Sequence, residues 1–166
     1  MQAFTVWVDA DSCPIGVRDM IIRFAQRLKI PTVFTANRPI PLNTRCSFIR
    51  MTVSETTPDA ADNYIVEHCS PADIAVTRDI PLASRLIDKG IRVLNDRGTV
   101  YTRENIGERL SLRNFNLELY ENGLAGEKTS SFGKKELNLF ANSFDKELQK
   151  KIKELRFQAT QPLSNE

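Results

Sequence analysis
Short apolar runs at residues 4–8, 32–35, 46–53, 73–76 and 91–94 alternate with segments whose apolar residues recur every three or four positions. This alternation constrains the fold more than any other feature of the chain. Strands separated by helical crossovers pair in parallel, with the crossovers laid over the sheet faces. The pattern therefore predicts an α/β fold with a mostly parallel sheet and helices on both faces.

The punctuation supports the pattern. Pro14 suits a first helical turn, and Val17, Met20, Ile21, Phe24 and Leu28 then form a stripe that Pro31 closes. A second helix is expected from Pro58, with Ala61, Tyr64, Ile65 and His68 along one side. A third spans 80–89 and stops at Gly90. After Thr102 the pattern becomes helical only. Thr102 caps a helix carrying Ile106, Leu110, Phe115 and Leu119, and a polar link follows at 122–133. A last helix bears Leu137, Phe140, Phe144, Leu148, Ile152 and Leu155, and is expected to pack on the sheet or on the preceding helix. The organisation predicted is one α/β domain over 1–121, a link and C-terminal helix packing on it over 122–158, and a loose tail over 159–166.

Acids stand where the strands end. Val6-Trp7-Val8 runs into Asp9-Ala10-Asp11, and Val76-Thr77 runs into Arg78-Asp79. Two ionised carboxylates about 4 Å apart repel by roughly 1 kcal/mol in water and about 4 at an effective dielectric near 20. In open α/β sheets the carboxyl ends of the strands form the ligand edge. Asp9, Asp11 and Asp79 should share that edge, and Asp59 and Asp62, three apart at a helix start, add a common face. Some of these acids also have structural readings: Asp79 as a helix cap, Asp59 as a first-turn acid, Asp96 as a turn residue. Asp9, directly after an apolar strand, has no cap geometry to serve. Jointly the acids call for a hard cation, and Mg²⁺ or Mn²⁺ suits carboxylate and water ligands.

Composition excludes other classes. Three widely spaced cysteines without a CxxC pair and a single histidine argue against a disulfide framework or a zinc knuckle, and favour a reducing cytoplasm. No apolar stretch reaches the roughly 20 residues that cross a bilayer, and no basic-then-apolar leader opens the chain. A net charge of +2 does not by itself mark a nucleic-acid binder, so any such binding needs a local patch. Cys13 beside the acids invites a thiol-nucleophile reading, but nearby acids suppress the thiolate and only His68 offers a base.

Several motifs together resemble the YaiI/YqxD family of uncharacterised bacterial proteins. They are Val8-Asp9-Ala10-Asp11-Ser12-Cys13-Pro14, Asp59-Ala60-Ala61-Asp62, the run from Asp73 through Thr77-Arg78-Asp79 to Ala83, Lys89-Gly90, Arg97-Gly98, Asn105-Ile106, Arg113 and the segment 140–148. That family is grouped with PIN-like folds, so the resemblance implies a PIN-like three-layer sandwich with a C-terminal helical extension. Active members of that fold group are metal-dependent nucleases with acids at strand ends. By motif, Asp9, Asp11, Asp62 and Asp79 resemble the catalytic acids.

The leading expectation is a Mg²⁺- or Mn²⁺-dependent nuclease acting on RNA or single-stranded nucleic acid. Asp9, Asp62 and Asp79 would hold metal, and Asp11 would orient water. Ser12, Asn37, Arg38, Thr77 and Arg97 are candidates for contacting substrate, since guanidinium groups pair with phosphate bidentately. Two alternatives stay open. One is an aspartyl phosphatase of haloacid-dehalogenase type, with Asp9 as nucleophile and Asp11 protonating the leaving group. The other is a non-catalytic module that binds RNA or a protein.

Overall fold
A computed structural model describes residues 1–124 and 131–161. Six strands, β1 (Val6–Asp9), β2 (Thr32–Ala36), β3 (Ile49–Val53), β4 (Ile74–Val76), β5 (Arg92–Leu94) and β6 (Val100–Tyr101), form one sheet in the order β3-β2-β1-β4-β5-β6. The first five are mutually parallel, and β6 returns antiparallel to β5. Five helices accompany them: α1 (Ile15–Leu28), α2 (Ala60–His68), α3 (Ile80–Asp88), α4 (Arg103–Glu121) and α5 (Lys134–Thr160). The α/β class and the helix-covered, mostly parallel sheet are as expected. Parts of the link expected at 122–133 and of the tail expected at 159–166 lie outside the described residues.

Strand alternation sorts the core into two layers. Val6 and Val8 of β1 and Phe34 and Ala36 of β2 meet α1 and α5 on one face. Trp7, Val33, Ala75 and Val93 meet α2, α3 and Ile106 of α4 on the other. Side chains two apart on a strand share a face, so the single residue at the end of each strand inherits its layer.

Some boundaries differ from the sequence reading, each for a local reason. β3 starts at Ile49 rather than 46, because Cys46 and Ile49 close a turn (3.2 Å) and Thr44 Oγ1 accepts from the Cys46 N–H (3.1 Å). β4 starts after Asp73, whose buried carboxylate accepts from the Thr5 N–H (2.8 Å), the Trp7 indole (3.0 Å) and the Ser70 N–H (2.9 Å). α2 starts after Pro58 and Asp59, since Asp59 adopts a left-handed φ of 64°.

α5 packs beside α1 rather than on α4. Phe144 meets Phe24 edge to face at 5.4 Å, and Phe140, Phe144 and Leu148 are fully enclosed. Buried Glu147 joins Arg92 of β5 at 3.3 Å. α4 is different, for Ile106 is its only buried residue. Phe115, expected on its inner stripe, is 55% exposed. No described helix is long and apolar enough to cross a membrane.

The turn after β5 is held against α5. Ser143 Oγ donates to the Gly98 carbonyl (2.6 Å), and a Cβ on Gly98, at φ +82°, would lie 2.5 Å from the Leu139 carbonyl oxygen. Gly90 has a similar φ of +80° but open space around it. Gly98→Ala is therefore expected to cost about 2–4 kcal/mol by adding overpacking to left-handed strain, whereas Gly90→Ala should cost only about 1–2. Urea unfolding of the two variants checks the difference.

Candidate acidic site at the sheet switch point
Ligands of open α/β sheets bind at the carboxyl edge where strand order reverses. In this sheet the chain steps outward from β1 to β2 and β3, then returns to place β4 on the other side of β1. The reversal falls between β1 and β4, and Asp9 is the last residue of β1.

Register fixes what flanks it. Asp9 lies level with Thr35 of β2, and Val8 lies level with Val76, so Thr77 follows beside Asp9 on the β4 side. By alternation Thr35, Asp9 and Thr77 belong to the layer that α2 and α3 cover. Asp9 is only 5% exposed. Its Oδ2 accepts from Thr77 Oγ1 (2.8 Å) and from Ser12 Oγ (2.9 Å). Thr77 Oγ1 itself accepts from the Asp79 N–H (3.0 Å), which directs the hydroxyl proton toward Asp9. Asp79 Oδ1 in turn accepts from the Leu82 N–H (3.0 Å) and caps α3. The cap reading and the cluster reading of Asp79 are therefore both satisfied by one side chain.

Electrostatics bind the acids into one unit. Burial raises the Asp9 carboxyl above the ordinary range. The two hydroxyl bonds oppose that rise, and the charges of Asp79 and Asp11 add to it. Asp62, half-buried on α2, is pushed up to about 6, first by burial and then by Asp9, Asp79 and Asp59, with Arg85 opposing. Cys13 is raised far above the usual thiol range, chiefly by burial. His68 closes α2 stacked on Tyr64 at 3.9 Å, its ring against Tyr64 and Trp7 rather than Cys13, so it does not stand as the base that a thiol nucleophile needs.

Asp96 is the residue that the sequence reading took for a turn acid. It is 5% exposed and lines a small space with Asp9, Ser12, Cys13, Thr77 and Arg78, and its Oδ2 has no hydrogen-bond partner. Thr35 Oγ1, fully buried in register with Asp9, also has none. Leaving such an atom unsatisfied costs about 1–3 kcal/mol, so these two oxygens near one buried carboxylate are free to bond a water or an ion. Arg78 lies in the same space, within the Thr77-Arg78-Asp79 motif itself.

The other candidates are dispersed around this centre. Asp11 is exposed and accepts from the Asn37 N–H (3.1 Å), which ties the turn after β1 to the loop after β2. Arg38 is exposed in that loop. Arg97 reaches Glu136 of α5 (3.9 Å) and lies over the Phe132 ring (5.7 Å). Asp59 is exposed and caps nothing. Among the described residues no three His, Cys, Asp or Glu side chains stand arranged to hold a metal ion between them. The acids and hydroxyls around Asp9 nonetheless offer hard oxygen, with Cys13 Sγ, its proton held by burial, beside them, and Mg²⁺ is commonly held by only one or two carboxylates with waters completing its shell.

Comparison with known proteins gives a family and no activity. Residues 7–150 match the sequence model described as "Uncharacterized BCR, YaiI/YqxD family". The chain is 53% identical over 149 residues to a UPF0178 protein of Treponema denticola, covering 90% of this chain and 94% of that one. It is 45% identical to a UPF0178 protein of Syntrophobacter fumaroxidans (89% and 96% covered) and 48% identical to one of Treponema pallidum (90% and 84% covered). No solved structure matches the chain.

The coupling of Asp62 to Asp9 gives a test without any ligand. Asp62 should titrate near pH 6 in a carboxyl-detected NMR titration, and Asp9→Asn should lower that value by removing a like charge. The sign follows from linkage. A folded value above the unfolded one, about 3.9, means that Asp62 costs no stability below about pH 4 and an increasing amount as pH rises toward 6. Asp62→Asn should therefore stabilise the protein at pH 7 and leave it unchanged at pH 4.

Proposed function
Because the chain belongs to the YaiI/YqxD family, whose description assigns no activity, we propose a function from the site itself: hydrolysis of phosphodiester bonds in single-stranded nucleic acid, RNA foremost, with Mg²⁺ or Mn²⁺ as cofactor. One observation carries the reading. A buried aspartate at the switch point is surrounded by further acids and by two orphaned oxygen atoms, Asp96 Oδ2 and Thr35 Oγ1. Such a set of oxygen donors fits a small, hard divalent cation.

In this reading Asp9 is the central ligand, with Asp62 and Asp79 beside it and Asp96 as a further donor. A bound Mg²⁺ or Mn²⁺ supplies charge to a phosphoryl oxygen and acidity to water. The chain's own residues do the rest. Thr77 and Ser12 hold Asp9 in one orientation through its Oδ2, and the α3 cap holds Asp79. Asp62, whose proton affinity burial and the neighbouring acids raise, would give up its proton to the cation's charge, and exposed Asp11 would orient water. Arg78, lining the space beside Asp9, and exposed Arg38 contact the flanking phosphates.

The aspartyl phosphatase alternative fits less well. That pattern calls for a later lysine near the nucleophile, and the residues lining the space beside Asp9 include none, while Asp9 Oδ2 is already engaged by two hydroxyls.

Binding to the folded state alone raises stability by about 2.7 kcal/mol at a hundredfold excess over Kd. At about 2–4 °C per kcal/mol for a chain of this size, Mn²⁺ should raise Tm by about 5–10 °C. Asp9→Asn should abolish that rise and also the Mn²⁺-dependent cleavage of unstructured RNA. Cleavage that survives the substitution, or a Tm indifferent to Mn²⁺, contradicts the proposal.

A further inference from the structure
α4 is 19 residues long, about 28 Å at 1.5 Å per residue, and buries only Ile106. Its middle stretch packs across the start of α3. Arg109, Leu112, Arg113, Asn116 and Leu117 enclose a cavity of about 370 Å³ against Ile80, the residue that follows Asp79. The groove thus begins one residue from the acidic site and runs along a helix face that the other described residues leave exposed.

We propose that this groove holds one nucleotide of a single-stranded nucleic acid beside the acidic crevice. The choice of occupant rests on the phosphodiesterase reading above. Small-ligand sites are mostly apolar, span about 300–1,000 Å³ and carry a few placed polar groups. Ile80, Leu112 and Leu117 offer the flat apolar surface on which a base settles, and Leu112 is 59% exposed, with nothing among the described residues covering it. Asn116 brings an amide that can both donate to and accept from a base edge.

Charge chooses the partner. Arg109, Arg113 and Asn116 recur at i, i+4 and i+7, so they share the face turned toward Ile80. Glu104 and Glu118 fall on the far side of the same helix at 3.6 residues per turn, and Glu108 and Glu121 on its flanks. Arg109 lies over the Tyr101 ring at 5.6 Å, which fixes its guanidinium beside the groove. Arg109 and Arg113 thus give the groove two guanidinium groups, and Arg78, exposed in the motif that carries Asp79, adds a further cation near its start in sequence. A strand of phosphates with unpaired bases matches cationic groups alternating with apolar surface, as single-strand sites generally do. A protein segment would have no use for two guanidinium groups on one face of the groove unless it were acidic.

The test is fluorescence anisotropy with a labelled 12-nucleotide single-stranded RNA, in chelator so that no cleavage occurs. Two variants are compared with wild type: Arg109→Ser/Arg113→Ser, and Leu112→Asp, which puts a like charge into the groove and leaves both arginines in place. Each should weaken binding at least tenfold. The double variant should also flatten the slope of log K against log salt by about 1.4, at roughly 0.7 for each phosphate that an arginine no longer neutralises. Thermal melting shows that each variant is folded, and if the double variant fails, Leu112→Asp still decides. Unchanged affinity in both variants overturns the proposal. So does sedimentation showing a dimer that Leu112→Asp dissociates while RNA affinity stays the same, since a second copy would then cover the groove. Arginine-dependent binding without Mn²⁺-dependent cleavage supports the groove and refutes the phosphodiesterase. Asp9-dependent cleavage indifferent to both variants does the reverse.

Discussion
The burial of the Asp9 carboxylate at the end of β1 is the constraint on which the rest of the site depends. An ionised group in that position would be expelled or neutralised if nothing compensated it. The compensation visible in the fold is partial. Thr77 and Ser12 both donate to Oδ2, and the chain of bonds from the Leu82 N–H through Asp79 and Thr77 makes the start of α3 part of the same unit. Asp79, Asp11 and Asp62 then work against it. A buried carboxylate crowded by others is the arrangement from which the proposed cation would draw its binding energy.

Fold and site are connected through the sheet order. Crossing from the β2 side of β1 to the β4 side opens the crevice, and the same step brings Thr35 and Thr77 to either side of Asp9. α5 contributes from the opposite layer. By packing on α1 and gripping the Gly98 turn it holds the 95–98 segment in place, which includes Asp96. A helix that adds no ligand of its own thereby shapes the space beside Asp9.

Much of this was legible in the residues. Alternating strand and helix patterns specified the layers, and acids directly after apolar runs located the ligand edge, because a parallel sheet carries all its strand ends to one side. The rest depended on information that linear patterns do not carry. Asn-Asp-Arg-Gly reads as a turn whatever its environment, and Asp96 is buried only because that turn lies against α5. Thr35 ends an ordinary apolar strand, and only its register with Asp9 gives it meaning. Phe115 and Leu112 have the spacing of core residues, yet α4 leaves them outside. Arg97 stood beside the acids in sequence and reaches toward Glu136 and Phe132 in space.

The most direct measurement is a crystal of the full chain soaked in Mn²⁺, with anomalous data collected at the manganese edge. The account predicts a peak within about 2.0–2.3 Å of an Asp9 carboxylate oxygen, the usual bonding distance of small divalent cations, with Asp62, Asp79 or Asp96 drawn toward it. A crystal saturated with Mn²⁺ that shows no peak in the crevice, and Asp9 still held only by Thr77 and Ser12, would contradict it.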